Sequence, residues 1–140
     1  MKKTTFLNSV ALIAFAAIAI SGAETRFKGT WCIGNQKLVI DFPGNNAIKI
    51  SSRGDEAVNG VGTFTFTDTT FTATIKNEDL VLKIGYLYKF KDTKNLRAKI
   101  TFFTIDGEGV DYPKRWMRMQ SCNPETFDFD KAAKEELSEN

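Results

Sequence analysis

The chain has 140 residues, with 19 Lys and Arg against 17 Asp and Glu and no His. Lys2 and Lys3 fall in an apparent leader, so from residue 24 onward 17 cations face 17 anions and the remaining 117 residues are neutral. Neutrality excludes nucleic-acid binding through overall basicity, the length is that of one domain, and the lack of His removes the Ser-His-Asp and Cys-His machinery and the commonest zinc ligand.

Met1-Lys2-Lys3 is a short positive start, Val10 to Ile20 is an unbroken apolar run, and Ser21-Gly22-Ala23 supplies small residues before Glu24. This is the pattern of a cleavable secretory signal of bacterial style, cut after Ala23. The 11 apolar residues fall short of the ~20 that span a bilayer. The first cysteine, Cys32, is too far from the run to carry a lipoprotein anchor. A periplasmic or secreted monomer that does not span the membrane is expected. In such an oxidising compartment the two cysteines, Cys32 and Cys122, are expected to pair.

From Phe27 almost to Cys122, apolar and polar residues alternate with period two, the signature of strands with one buried face. Phe27, Gly29, Trp31 and Ile33 share one face of the first strand and Cys32 takes the other. Leu38, Ile40 and Phe42 alternate with Val39 and Asp41; Ile48 and Ile50 flank Lys49; Phe64 and Phe66 flank Thr65; Phe71, Ala73 and Ile75 alternate with Thr72 and Thr74. A long strand then carries Leu80, Leu82, Ile84, Tyr86, Tyr88 and Phe90 on one face. Leu96, Ala98, Ile100 and Phe102 form the next inward row, and Arg115 to Ser121 is the last strand.

Turn signals separate these eight segments, among them Gly34-Asn35, Pro43-Gly44-Asn45-Asn46, Asn77-Glu78-Asp79 and Asp106-Gly107-Glu108-Gly109. Connections this short join antiparallel neighbours, since a parallel crossover needs about a dozen residues or more. The prediction is an all-β fold: an eight-stranded antiparallel up-and-down barrel, closed so that no edge is exposed. Only closure makes the first and last strands neighbours, so a Cys32–Cys122 bond latches the seam from outside, with Arg115, Met117 and Met119 sharing the inner side with Trp31. After Pro124, residues Asp130 to Glu139 predict a short, loosely docked helix capped by Asp130, with Leu137 as its one large apolar residue. The predicted organisation is a signal at 1–23, a barrel at 24–123 and a short helical acidic tail at 124–140.

Gly29-Thr30-Trp31 at the start of the first strand, eight meandering strands and an Arg on the last strand resemble the lipocalin group and its small bacterial relatives. The resemblance implies that Trp31 plugs one end of the barrel with Arg115 or Arg118 packed across it. A second, architectural resemblance is to the envelope C-type lysozyme inhibitors, carried by Cys32, the strand Lys37 to Phe42 and the closing Cys122-Asn123-Pro124. Their inhibitory Ser-Gly-x-x-Tyr loop has its nearest counterpart in Asn59 to Phe64, which lacks both the Ser and the Tyr.

Asp106, Glu108 and Asp111 gather three carboxylates in six residues, but without the spacing of a calcium loop they read as a polar turn. No catalytic residue, metal or cofactor is expected. Arg53-Gly54-Asp55 spells an integrin-binding tripeptide that is also ordinary turn chemistry. Lys83, Lys89, Lys91, Lys94, Arg97 and Lys99 make a basic stripe, read as a solvated outer face or a contact for an anionic partner. An eight-stranded barrel is wide enough either to be filled by its own side chains or to hold one small ligand. The leading expectation is therefore a non-catalytic carrier of a small apolar or amphipathic ligand, lined by Tyr86, Tyr88, Phe64, Phe66 and Phe102 with Trp31 as the floor. The alternative is a filled barrel that acts through its surface on an envelope or host protein, as an inhibitor of lysozyme or an interaction module.

Overall fold

Alternating apolar and β-branched residues produce nine strands, followed by a C-terminal helix, over the residues that the computed structural model describes, 26–53 and 59–139. The expected leader lies outside the described residues, as do Gly54 and Asp55. The strands are β1 (Gly29–Ile33), β2 (Leu38–Gly44), β3 (Ala47–Ser52), β4 (Gly60–Phe66), β5 (Thr70–Asn77), β6 (Leu80–Asp92), β7 (Asn95–Ile105), β8 (Glu108–Gly109) and β9 (Met117–Ser121), and helix α1 spans Phe129–Glu139. Among the described residues no helix is long and apolar enough to cross a membrane.

Strands β1 to β7 pair antiparallel with their sequence neighbours, and β9 closes the ring by pairing with both β7 and β1. Strand β8 is a two-residue flap on the far end of β7, so the wall is a closed barrel of eight staves, compatible with lipocalin-like architecture. Tight connections are made by residues that accept left-handed backbone: Asn45 and Asn46 turn with φ of 58° and 60°, and Asp106-Gly107 with 51° and 85°.

Gly60 and Gly62 face inward where β4 presses on β5. A β-carbon at Gly62 would stand 1.8 Å from the Thr74 carbonyl oxygen and one at Gly60 2.5 Å from that of Lys76. The missing side chains let these strands bend at a corner of the barrel.

The seam is closed covalently: Cys32 and Cys122 form a disulfide across 90 residues of sequence. Cys32 points away from Trp31, as the alternation requires, yet it is fully buried. Helix α1 covers this end of β1. A β-carbon on Gly34 would stand 2.6 Å from that of Ala132, so the glycine admits the helix.

The expected helix needs two corrections. Its cap is Asp128, whose carboxylate accepts from the Lys131 amide at 2.9 Å; Asp130 is already inside the first turn. Leu137 is exposed, and the docking face is Ala132 and a buried Glu136. Glu136 Oε1 accepts from the Arg118 amide at 2.6 Å, and its other oxygen lies 4.0 Å from Arg115. The helix expected to dock loosely is thus anchored onto β9 by a polar contact.

Candidate functional site

Inside the barrel, Phe27 is the centre of an aromatic plug. It precedes β1, is fully buried, and has Tyr88, Phe90, Phe42 and Phe71 around it at ring-centroid distances of 4.9, 5.2, 5.3 and 5.4 Å, with Phe66 and Phe64 at 6.0 and 6.1 Å. The Trp31 indole N–H donates to the Phe27 carbonyl at 2.7 Å, which locks plug and wall together. Tyr88 donates its hydroxyl to the Thr67 carbonyl at 2.6 Å, and the Arg26 guanidinium covers Phe90 at 3.9 Å from the ring centre. Phe64, Phe66 and Tyr88, expected to line a mouth, thus pack on Phe27, and Trp31, the expected floor, packs on Phe90. Arg115 and Arg118 each meet a glutamate of α1, Glu136 at 4.0 Å and Glu135 at 3.8 Å.

The opposite half of the interior is aliphatic. Ile33, Ile50, Ile75, Leu82, Ile84 and Phe103 surround a cavity of about 100 Å³ into which Tyr86 faces, with Gln36, Asp111 and Pro113 at its rim. Pockets that hold drug-sized ligands are roughly 300 Å³ or more, so this space admits a small apolar group and no whole lipid or haem. Tyr86 stacks on Phe71 at 4.5 Å, and burial holds its hydroxyl far above the ordinary tyrosine range. Tyr88 shifts upward too, through burial first and then the Asp68 charge, against an opposing pull from Arg26. Both phenols stay neutral at ordinary pH, able to donate a hydrogen bond and unsuited to abstract a proton.

Phe102 stands outside the barrel, which corrects its expected inward position. Across β6 and β7 the pairing steps from Gly85↔Phe102 to Tyr86↔Ile100, leaving Thr101 as the extra residue of a β-bulge. One inserted residue exchanges the faces, so Leu96, Ala98 and Ile100 point in before the bulge and Phe103 and Ile105 after it. The carbonyl freed at Thr101 accepts the Tyr112 hydroxyl at 2.8 Å. Phe102, 38 % exposed, lies over Gly85 and borders an open groove of about 390 Å³ with Thr63, Thr65, Thr72, Thr74 and Lys83. Period two carries no signal for such a bulge, and the Gly85–Phe102 pairing becomes visible only once register is known.

The basic stripe is also on the outer face, where Lys83, Lys89, Lys91, Lys94 and Arg97 are exposed and Lys99 is half-buried. Lys89 sits 5.1 Å from the ring centre of Trp116, which lies just before β9. The acidic turn is structural: Asp106 accepts from the Val81 amide at 2.9 Å and returns its own amide to the Val81 carbonyl, tying the β7–β8 hairpin to the start of β6. Among the described residues no group of three or more acidic, His or Cys side chains is placed to hold a metal ion. No protein-family model, curated protein or solved structure matches this chain.

Proposed function

We propose that this protein is a non-catalytic, exported barrel that works from its outer surface by binding an envelope or host protein. One observation carries the reading. The aromatic plug around Phe27 occupies one half of the interior and leaves about 100 Å³ in the other, while an aromatic side chain is displayed outside at Phe102 beside a groove of about 390 Å³. A carrier spends its aromatic residues on a ligand; here they fill the barrel and make it rigid. A rigid wall suits surface recognition because little order has to be gained on binding. The disulfide supports residence in an oxidising compartment. The test is crosslinking of the mature protein in envelope or host extracts, compared with Phe102→Ala. A partner captured by the native chain and lost with the variant is expected, and no partner in either sample overturns the reading.

The aliphatic cavity favours a second reading, a small apolar ligand held against Tyr86 at the end of the barrel opposite Phe27. Native mass spectrometry of protein from its own compartment decides it: an adduct that is present in the native sample and lost on denaturation supports this reading, and a clean mass removes it.

A further inference from the structure

The aromatic residues that carry a polar tip hand it to a backbone carbonyl: the Trp31 indole donates to Phe27, the Tyr88 hydroxyl to Thr67 and the Tyr112 hydroxyl to Thr101. Tyr86 departs from this. It is 3 % exposed, yet among the described residues its hydroxyl has no hydrogen-bond partner. A buried donor left without an acceptor is costly, and in a native protein it calls for an explanation. Tyr86 stacks on Phe71, which lies 5.4 Å from Phe27, so it stands where the aliphatic cavity meets the aromatic plug. The walls of that cavity are apolar side chains such as Ile33 of β1, Ile50 of β3, Ile75 of β5, Ile84 of β6 and Met117 of β9. Gly60 and Gly62 of β4, the partners of Ile50 and Ile75, add no side chain to this half. At the rim Asp111 meets Lys114 at 3.8 Å, and among the described residues no Lys or Arg lines the space.

We propose that this cavity selects a small neutral molecule with an apolar body and one oxygen acceptor, a short ketone, aldehyde or ether, whose oxygen accepts the Tyr86 hydroxyl. This selectivity rests on the second reading above, in which the cavity holds a ligand, and names the chemistry of that ligand. The space of about 100 Å³ takes roughly four to six non-hydrogen atoms. A plain hydrocarbon of that size satisfies the walls and leaves the phenol unmatched, whereas an acceptor satisfies both. A carboxylate finds no cation in the lining and passes Asp111 on entering, so an acid anion is rejected. Water is a poor occupant too, because a buried water needs about two to four polar partners and, away from the rim, Tyr86 is the polar side chain of the lining.

The test uses the mature chain and three probes of similar size, cyclopentanone, cyclopentane and butyrate, followed through the NMR shifts of Ile, Leu and Met methyl groups. Cyclopentanone should give saturable shifts at Ile75, Ile84 and Met117. In Tyr86→Phe its affinity should fall about fivefold, the loss expected for one hydrogen bond. Cyclopentane should bind the variant as well as it binds the native chain, and comparing each probe with itself removes the difference in their hydration. Butyrate should give no saturable shift. Tyr86→Phe should also melt no lower than the native chain at neutral pH, since it removes a hydroxyl that no group of the protein matches. If cyclopentane binds and cyclopentanone loses nothing in the variant, the selectivity is overturned while the cavity reading stands. Silence from both neutral probes overturns the two together. Saturable binding of butyrate at these methyls overturns the proposal, and so does a lower melting temperature for Tyr86→Phe, which would reveal an acceptor within the protein.

Discussion

Gly85 and Phe102 are direct partners across β6 and β7, and the phenyl ring occupies the space where a β-carbon on residue 85 would stand, 2.1 Å from the nearest ring carbon. The ring shields a stretch of backbone that has no side chain of its own. Phe102→Ala should therefore cost about 1 kcal/mol and lower the melting temperature by about 3–6 °C. Gly85→Ala should swing the ring away from the sheet without unfolding the barrel, because the clashing atoms belong to a movable side chain. Thermal melts followed by circular dichroism check both.

Removing the latch is a larger perturbation. Replacing Cys32 and Cys122 together by Ser should destabilise the fold by about 4–5 kcal/mol in the chain-entropy treatment of a 90-residue loop. The barrel should remain recognisable by circular dichroism under mild conditions. An unchanged melting temperature would contradict a constraint across the seam.

Helix α1 packs beside β1, the strand that carries Cys32. Glu136→Ala removes the acceptor of the Arg118 amide and the partner of Arg115. The loss should be about 2–3 kcal/mol, as for a hydrogen bond to a charged group. Once the helix is undocked, Cys32 should be reduced faster by dithiothreitol than in the native chain, which thiol labelling without denaturant measures directly.

Gly62 and Gly109 make a contrasting pair. A methyl group at 62 meets the backbone oxygen of Thr74, which cannot move aside without breaking the β4–β5 ladder, whereas the space around Gly109 is open. Gly62→Ala should cost about 3 kcal/mol and Gly109→Ala close to nothing, as read from denaturant midpoints.

The alkaline limb of stability should belong in large part to Tyr86. Its hydroxyl is held above the ordinary tyrosine value in the folded state by burial. Its contribution is therefore complete below the unfolded value of about 10 and is lost as pH rises beyond it, because the unfolded chain releases the proton first. Tyr86→Phe should flatten that limb in a pH titration monitored by tryptophan fluorescence. Asp92 has the opposite sign. Hydrogen bonds from Asn95 and the Lys94 amide keep its carboxyl below the usual range, so Asp92→Asn should remove stability at neutral pH and leave the acid limb less steep.

Strand count, closure and the disulfide were legible because one periodic pattern carries all three: a half-buried sheet alternates, short turns force neighbouring pairing, and cysteines at both ends of the meander meet only in a ring. The position of Phe102 was not legible, since a bulge at Thr101 exchanges the faces of β7 without interrupting its composition. Phe27 was read as one more inward residue of the first strand. Its role as the plug goes with helical backbone at Arg26 and Phe27, ahead of β1, which the strand alternation does not record. The docking of α1 was hidden for a different reason. It rests on a small residue, Ala132, against Gly34 and on a glutamate that side-chain polarity alone assigns to solvent.

The pairing of β1 with β9 also has a meaning in time. As the chain emerges from its N-terminal side, β1 finds β2 at once, but its other edge has no partner until some ninety residues more have followed. Throughout that interval the growing sheet presents an open template to any extended segment nearby. The last stave to arrive is therefore the one that makes the molecule safe from its neighbours. A chain interrupted before Met117 should associate with other copies or with a chaperone where the finished barrel does not.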